Sequence, residues 1–164
     1  MSQSTVKGQT ANAVSLDETD FKILRLLQQD AKMTVKDISE KVHLSTSPVH
    51  ERIKRMENNG VIKQYATLVD YEKVNKGLIV ICYVSLKQHD KNAGTNFIKF
   101  INGLNEVIEC YNISGEFDFM LKVIAENMND YYHFHVDKLS ESGNIGHVQS
   151  VFVMGVIKET HVVV

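Results

Sequence analysis

The stretch from Met33 to Gly60 constrains the fold more than any other part of the chain, because it predicts two short helices joined by a tight turn. Thr34, followed by Asp37 three residues later, is a weaker form of the capping box, in which a hydroxyl and a carboxylate satisfy free N–H groups at a helix start. The first helix therefore begins at a defined residue. Its apolar residues keep helical spacing: Val35, Ile38 and Val42.

The second helix of the pair is predicted to carry its charges on one face. Ser45 or Ser47 can cap it, and Pro48 fits its first turn, where a missing N–H costs nothing. Asn59-Gly60 is expected to end it through a left-handed residue. The buried stripe is predicted to be Val49, Ile53 and Met56, and the outward face His50, Glu51, Lys54 and Arg55, with Arg52 near the boundary.

Two short helices with a turn of this kind form the helix-turn-helix arrangement, whose second helix can enter the major groove of DNA. Any small helical hairpin gives a similar pattern, so the pattern alone leaves DNA binding and a purely structural hairpin open. The 164-residue chain has a formal net charge of −2. Residues 32–63 carry seven Lys/Arg and four Asp/Glu, a net +3, whereas residues 65–164 carry eight and twelve, a net −4. Only the first region is therefore expected to meet a polyanion.

A further helix is predicted before this pair and has nothing else to pack against. Asp17 can cap it, Asp20 occupies its third position, and Leu16 can pack on Phe21. Residues 16–61 are therefore interpreted as a three-helix DNA-binding domain. Residues 1–15 are expected to form a flexible tail, and residues 62–77 a linker strand and hinge, since residues 61–69 are rich in β-branched and aromatic side chains.

From Leu78 onward the pattern predicts strands interrupted by two helices, in the order β-α-β-β-α-β of the ferredoxin-like split unit. The fold class is thus α+β, with an N-terminal winged helix-turn-helix and a C-terminal ferredoxin-like domain at 78–164. One face of its sheet would be bare, so a two-fold homodimer is expected to cover it. The predicted strands lie at 78–87, 107–113, 117–126 and 148–158. The first predicted helix spans 93–102 and is expected to bury Phe97, Ile98 and Ile101. The second begins at Asn127 or Asn129 and runs through Leu139.

Several classes of site and location are not expected. Cys82 and Cys110 lie in apolar runs without CxxC spacing, which favours reduced, buried side chains in a cytoplasmic protein. His133 and His135, two residues apart on a predicted helix, point to different faces, which argues against metal ligation. No apolar run reaches the roughly 18 residues of a membrane span, and the N-terminus lacks the apolar core of a secretory signal. We expect no metal, cofactor or membrane partner.

The first half of the chain contains a specific combination of residues: Leu44-Ser45, Pro48, Glu51-Arg52, Lys54-Arg55 and Gly60-Val61-Ile62. The second half contains a Gly-x-x-Asp turn, Gly115-Glu116-Phe117-Asp118, between two predicted strands. With these motifs, the chain over residues 16–160 resembles the Lrp/AsnC family, also called feast/famine regulators.

The resemblance implies a transcriptional regulator that binds double-stranded DNA through its first domain. The second domain would assemble dimers, often further into octamers, and bind a small effector, usually an amino acid, between dimers. The chain departs from the family pattern at a few positions. Asp70-Tyr71 and Asn75 replace the linker's usual Asp-Pro and Gly, and Val148 stands where many members have a threonine. Because Val148 lacks the hydroxyl, this chain could bind a different ligand or no ligand. By position, the effector site would comprise Ser114, Gly115 and Asp118 of one subunit and Gln149 and Ser150 of a neighbour.

The chemistry of the DNA-binding residues follows from their types. Basic side chains can neutralise phosphates or reach guanine edges, and hydroxyls with free N–H groups at a helix start can hold an anion. For Arg52 a structural ion pair is an equal alternative, whereas the resemblance favours DNA for Lys54 and Arg55. In a dimer, the two reading helices would lie about 34–36 Å apart or a multiple of that. The predicted set is Ser45, Thr46, Ser47, His50, Arg52, Lys54 and Arg55.

At the predicted effector site, Asp118 could accept an ammonium group and backbone N–H groups near Gly115 could hold a carboxylate. Without the resemblance, a simple hairpin turn capped by Asp118 is preferred. Tyr131 and Phe134 are expected in the core. The alternative function is a sirohaem-decarboxylase-like enzyme on the same scaffold, an idea that rests on the seven histidines of the chain.

Overall fold

The computed structural model describes residues 15–88 and 91–164, which form two compact units. The first unit extends to Thr67 and includes Lys158–Val164, and the second spans Leu68–Ile157. The border falls inside the predicted linker at 62–77, whereas the last residues group with the first unit and not with the predicted 78–164 domain. The predicted tail lies outside the described residues, apart from Ser15.

The first unit consists of three helices: α1 (Glu18–Gln29), α2 (Val35–Val42) and α3 (Thr46–Asn58). Both predicted capping boxes are present, at Asp17 with Asp20 and at Thr34 with Asp37. In the second box, Asp37 N donates to Thr34 Oγ1 at 3.1 Å and Thr34 N donates to the Asp37 carboxylate at 3.2 Å. Local sequence therefore sets the start of both supporting helices.

Helix α3 follows the predicted pattern closely. Ser45 is its N-cap residue, although its side chain makes no capping hydrogen bond. His43, with φ 57°, ends α2 in the left-handed conformation, and Gly60, with φ 70°, follows α3. The predicted stripe of Val49, Ile53 and Met56 is buried. It packs on residues of the other two helices: Ile23, Leu24 and Ile38.

The second unit is a four-stranded antiparallel sheet with helices on one face. The strand order is β2-β3-β1-β4, which confirms the ferredoxin-like fold. Residues 61–69, predicted to be extended, join no sheet among the described residues. The elements are β1 (Leu78–Leu86), α4 (Lys91–Ile101), β2 (Val107–Asn112), β3 (Phe119–Ala125), α5 (Met128–His133), a π-helical turn (Phe134–Lys138), a 3-10 turn (Leu139–Ser142) and β4 (Ile145–Phe152).

The core of this unit lies between the sheet and its helices. Cys82, Tyr131 and Phe134 are buried there, as the sequence predicted. Two predictions of burial are wrong. Cys110 is exposed, because it lies on β2 at the edge of the sheet. Ile98 is 45% exposed, because α4 turns Phe97 and Ile101, four residues apart, toward the sheet.

The opposite face of the sheet presents apolar and aromatic side chains. Strand alternation places Ile81 and Tyr83 of β1 on this face, opposite Lys122 and Met120 of β3. Tyr111 of β2 is 49% exposed and Val151 of β4 is 42% exposed. Within the described residues, no helix is both long and apolar enough to cross a membrane.

Candidate DNA-binding and effector sites

The start of α3 presents uncommitted polar groups on the protein surface. Thr46, Ser47 and His50 are exposed, and within the described residues their side chains make no hydrogen bond. Together with Val35 and Glu51 they line a shallow cleft of about 460 Å³. Hydroxyl and imidazole groups in this position can exchange hydrogen bonds with phosphates or base edges.

Arg52, by contrast, is held inside the first unit. Its Nη1 atom lies 2.6 Å from Asp17 Oδ2 and 2.8 Å from Asp20 Oδ1, both at the start of α1. The hydrogen bonds that Arg52 donates to Asp17 and then to Asp20 raise the pKa of its guanidinium. The backbone N–H of Asp20, followed by Arg52, lowers the pKa of the Asp17 carboxyl. The structural ion pair considered for Arg52 is therefore present, with its partners on α1.

Arg55, which the resemblance assigned to DNA, pairs with the same carboxylate. Its Nη2 atom contacts Asp20 Oδ2, so the two oxygens of Asp20 each receive one guanidinium. Asp20 is fully buried, whereas the side chains of Arg52 and Arg55 remain 26% and 45% exposed. One buried acidic residue of the supporting helix thus fixes two basic residues of α3.

Lys54 lies on the exposed side of α3 and keeps a surface partner. Its Nζ atom lies 3.0 Å from Glu57 Oε2, and Tyr65 Oη donates to Glu57 Oε1 at 3.0 Å. The hydrogen bond from Lys54, followed by that from Tyr65, lowers the pKa of Glu57. Burial and the nearby Glu57 carboxylate raise the pKa of Tyr65 to about 12. An exposed pair of this type contributes little stability, so the Lys54 ammonium can exchange it for a phosphate.

The predicted effector residues of the Gly-x-x-Asp turn lie at one end of the sheet. Gly115 has φ 132°, a conformation that favours glycine, and both it and Ser114 are exposed. Asp118 Oδ2 accepts from Leu86 N at 2.7 Å, and Asp118 N donates to Val84 O at 2.9 Å. Asp118 therefore ties the turn to the end of β1.

Gln149 and Ser150, the predicted contribution of a neighbouring subunit, point to opposite faces of β4. Ser150 Oγ lies 2.6 Å from Tyr131 Oη, which in turn lies 3.2 Å from Cys82 Sγ. Burial raises the pKa of both the Tyr131 hydroxyl and the Cys82 thiol. Gln149 is exposed on the helix-free face, opposite Tyr83. Of the two side chains, Gln149 is thus the exposed one, while Ser150 is hydrogen-bonded to Tyr131 on the helix-covered face.

The role of Asp20 as an ion-pair partner was missed from the sequence, although a signal was present. Asp17 and Asp20 are three residues apart on α1, and Arg52 and Arg55 are three residues apart on α3. Matching acidic and basic pairs at helical spacing on two helices of one domain indicate facing turns.

Comparisons with known proteins agree with this geometry. Residues 16–63 match the family model described as winged helix-turn-helix DNA-binding, and residues 79–163 match the Lrp/AsnC ligand binding domain. The transcriptional regulator AzlB of Bacillus subtilis is 35% identical over 147 residues, covering 90% of this chain and 94% of the relative. The leucine-responsive regulatory protein of Haemophilus influenzae is 33% identical over 164 residues, covering 100% of this chain and 99% of the relative.

Solved structures of regulators of this type are similar to the chain over most of its length. A transcriptional regulator of Neisseria meningitidis in complex with L-Met is 37% identical, with a TM-score of 0.85 and coverage of 90% of this chain and 95% of that chain. An AsnC family regulator from Agrobacterium tumefaciens is 34% identical, with a TM-score of 0.85, covering 90% of this chain and 96% of that one.

The match to a winged helix-turn-helix DNA-binding model, followed by the match to the Lrp/AsnC ligand binding domain, defines the class as a DNA-binding transcriptional regulator. The chain belongs to the Lrp/AsnC family. These relatives are named as regulators, so the decarboxylase-like alternative receives no support and the chain is not assigned as an enzyme.

Proposed function

We propose that this regulator binds operator DNA as a homodimer in the cytoplasm, and that a small amino acid modulates its assembly or its affinity for DNA. The observation that carries the proposal is the exposed start of α3, where Thr46, Ser47 and His50 are uncommitted. This surface belongs to the region with net charge +3. Its polar groups suit a partner with phosphates and base edges.

The predicted DNA-binding residues divide into two groups in this proposal. Ser45, Thr46 and Ser47 meet the DNA backbone at the start of α3, and His50 and Lys54 follow on its exposed side. Arg52 and Arg55 add positive potential near the DNA while staying paired with Asp20. The paired arginines then contribute mainly through helix position and long-range charge.

The homodimer is proposed to form through the helix-free face of the sheet. Tyr83, Met120 and Val151 lie on this face beside the Lys122–Glu109 ion pair, and their apolar surface would be stabilised by burial against an identical copy. A two-fold dimer presents two α3 helices to two half-sites, about 34–36 Å apart or a multiple of that. Further assembly of dimers into an octamer is proposed on the resemblance.

An amino acid is the proposed effector because one relative is named leucine-responsive and another was solved with L-Met. The proposed contact region includes the Ser114–Asp118 turn, exposed at the sheet end, where a neighbouring dimer could add Gln149 and Ser150. Coupling between effector and DNA in such regulators is typically about 1–3 kcal/mol. We therefore expect a modest, measurable change in DNA affinity.

The test is DNA binding to the region upstream of the protein's own gene, measured by gel shift in a salt series with and without each amino acid. Steep salt dependence together with preference over scrambled DNA is expected. Sedimentation velocity on the same samples is expected to give a dimer or a multiple of it. Failure to bind this DNA above the level of scrambled DNA at every salt concentration contradicts the proposal.

A further inference from the structure

The linker between the first unit and the sheet is held at both ends and is unsupported between them. At one end, Tyr65 Oη donates to Glu57 Oε1 of α3 at 3.0 Å. At the other end, Asp70 accepts hydrogen bonds from two backbone N–H groups and begins a 3-10 turn, the linker turn (Glu72–Val74). Within the described residues, positions 66–69 make no backbone hydrogen bond and their side chains are exposed. We call these four residues the free linker.

The second unit holds its end of the linker through Lys76 and Tyr71. Lys76 Nζ lies 3.5 Å from Asp130 Oδ2 at the start of α5, and Lys76 N donates to Tyr71 O at 2.8 Å. The Lys122 ammonium lies 5.8 Å from the centre of the Tyr71 ring, within range of a cation–π contact. The side chains of Lys76 and Asp130 are 41% and 43% exposed, so their ion pair is weak and can open at little cost.

The first turn of α5 joins Asp130 firmly to its neighbour Tyr131. Asp130 N donates to Asn127 Oδ1 and Glu126 N donates to Asp130 Oδ2, each at 3.0 Å. Tyr131 N donates to Asn127 O, also at 3.0 Å. The Glu126 N–H, and Lys76 to a smaller extent, lower the pKa of the Asp130 carboxyl. Because these bonds fix the backbone of the turn, Asp130 and Tyr131 move together.

Tyr131 extends this connection to β4 through a buried hydroxyl. Its Oη atom lies 2.6 Å from Ser150 Oγ and 3.2 Å from Cys82 Sγ. Tyr131 is 5% exposed and its ring packs edge-on against Phe152, with 5.5 Å between centroids. A hydroxyl has one hydrogen and two acceptor positions, so a ligand group at Ser150 can take the position that Tyr131 uses. A change at Ser150 therefore reaches the first turn of α5.

We propose that the first turn of α5 sets the length of the free linker according to what binds at β4. In the structure, Tyr131 holds Ser150 and Asp130 holds Lys76, so the free linker has four residues. A ligand that takes the Ser150 hydroxyl from Tyr131 loosens this turn and releases Lys76. The free linker then extends over residues 66–77, which is twelve residues. This inference rests on the proposed homodimer and amino-acid effector, and it describes how the effector alters DNA binding.

A longer free linker lowers the affinity for an operator with two half-sites. In a dimer the second helix-turn-helix unit binds intramolecularly, and its effective concentration falls roughly as the −3/2 power of linker length. An increase from four to twelve residues corresponds to a decrease of about fivefold. DNA with one half-site engages one unit, so its affinity does not depend on linker length. Comparison of the two DNAs separates the linker from any change in α3.

The first measurement is amide hydrogen exchange of the full chain without ligand. The N–H groups of Val74, Asn75 and Lys76 report on the linker turn, because each donates a backbone hydrogen bond there. Tyr131→Phe and Ser150→Ala each remove one hydroxyl and should raise these exchange rates about two- to fivefold, as loss of an exposed ion pair would. These groups exchange by local opening, so a general loss of stability, which β1 and β3 report, does not by itself raise their rates.

Variants of Lys76 test the ion pair itself. Lys76→Met should raise the same exchange rates by a similar factor, whereas Lys76→Arg keeps the charge and should exchange like the wild type. Tyr132→Phe, at a 59% exposed position of α5, and Lys73→Met, on the linker turn but paired with Asp70, are the matched controls and should also exchange like the wild type. In the double variant Tyr131→Phe with Lys76→Met the effects should not add, because both act through one contact.

The second measurement is the affinity of these variants for DNA with one and with two half-sites. Lys76→Met and Tyr131→Phe should weaken binding to the two-half-site DNA about two- to fivefold and leave binding to the one-half-site DNA unchanged. An amino acid that alters the gel shift of the wild type should also raise exchange in the linker turn. The same amino acid should cause no further increase in Lys76→Met.

The outcomes separate this inference from the proposed function. Unchanged exchange of the linker turn in both Tyr131→Phe and Ser150→Ala overturns the link between β4 and the linker, even where an amino acid still alters DNA binding. Equal losses of affinity on the two DNAs overturn the role of linker length. If no amino acid changes the gel shift of the wild type, the effector proposal fails, while raised exchange in the two hydroxyl variants still supports the link.

Discussion

Asp20 holds two guanidinium groups with one fully buried carboxylate. Removing one partner of a buried ion pair costs about 3–5 kcal/mol when the remaining charge is buried. Because Arg52 and Arg55 are partly exposed, we expect Asp20→Asn to lower the free energy of unfolding by a smaller amount, about 2 kcal/mol. Urea denaturation measures this change.

Glu18→Gln is the matched control for that variant, because Glu18 on the same helix forms an exposed ion pair with Lys22. We expect it to change the free energy of unfolding by less than about 0.5 kcal/mol. Equal losses in the two variants would show that Asp20 contributes no more than a surface carboxylate.

The carboxyl groups at the starts of α1 and α2 predict how stability responds to acid. The pKa of Asp17 is lowered by the Asp20 N–H and then by Arg52, and that of Asp37 by the Thr34 hydroxyl and N–H. In the folded protein both carboxyl groups therefore have a pKa below the usual value of 3.8. Their contribution to the free energy of unfolding is complete above pH 3.8 and is lost as the pH falls through their folded-state pKa.

Urea denaturation between neutral pH and pH 3 tests this direction. The wild type should lose stability below about pH 4. The double variant Asp17→Asn with Asp37→Asn should start less stable and show a shallower decline over the same range. A decline as steep as that of the wild type would contradict the assignment of these two groups.

At the scale of the element, helix α3 separates groups that are free to contact DNA from groups that are already paired. Lys54→Ala should reduce DNA affinity across all sequences and lower the salt slope by about one, as expected for one phosphate contact. His50→Ala should instead reduce the preference for specific over scrambled DNA. Gel shifts in a salt series, with specific and scrambled DNA, measure both the salt slope and the sequence preference.

Lys22→Ala on the exposed side of α1 is the control for these two variants. We expect its salt slope and sequence preference to equal those of the wild type. An unchanged salt slope in Lys54→Ala would remove Lys54 from the proposed DNA surface.

Elements controlled by local sequence could be predicted well. The capping boxes at Asp17 and Thr34 and the buried stripe of α3 depend on residues three or four positions apart, and all are present. The single helix predicted to run through Leu139 is interrupted in the structure, because α5 ends at His133 and a π-helical turn, Phe134–Lys138, follows it. The prediction that Cys110 is buried was wrong. Whether a residue at a sheet edge is buried depends on which helices cover that edge, and local sequence does not determine this.

Candidate-site residues were harder to predict than elements. Residue type and spacing marked α3 as the DNA-facing helix, but could not show that Arg52 and Arg55 are paired with Asp20, more than thirty positions away. Gln149 and Ser150 were assigned together by resemblance, whereas strand alternation sends them to opposite faces. The matched spacing of the acidic and basic pairs indicates facing turns, but only the packing of α1 on α3 fixes which oxygen meets which guanidinium. The opposite faces of Gln149 and Ser150 follow from strand alternation, which a resemblance by position does not take into account.

At the scale of the whole molecule, the helix-free face of the sheet predicts how association can be broken. Met120 lies on this face in β3, and a glutamate there would be buried without a partner in the proposed dimer. We expect Met120→Glu to weaken the dimer by about 3 kcal/mol, or roughly a hundredfold in dissociation constant. Sedimentation velocity over a concentration series measures the change.

Lys99→Glu on the exposed side of α4 makes a larger change in charge on the helix-covered side of the sheet and should leave association unchanged. Loss of the dimer in Met120→Glu should also weaken DNA binding, because two linked half-site contacts become independent. A Met120→Glu protein that remains dimeric would place the dimer interface elsewhere.

The pairing of Asp20 with two arginines has a consequence for how this regulator can acquire new operators. Substitutions at Arg52 or Arg55 disturb the attachment of α3 to α1, so they change folding together with binding. Thr46, Ser47 and His50 have no such partner within the described chain and can be exchanged at little cost to folding. Recognition can therefore be redesigned in the first turns of α3 while the scaffold that orients them stays constant.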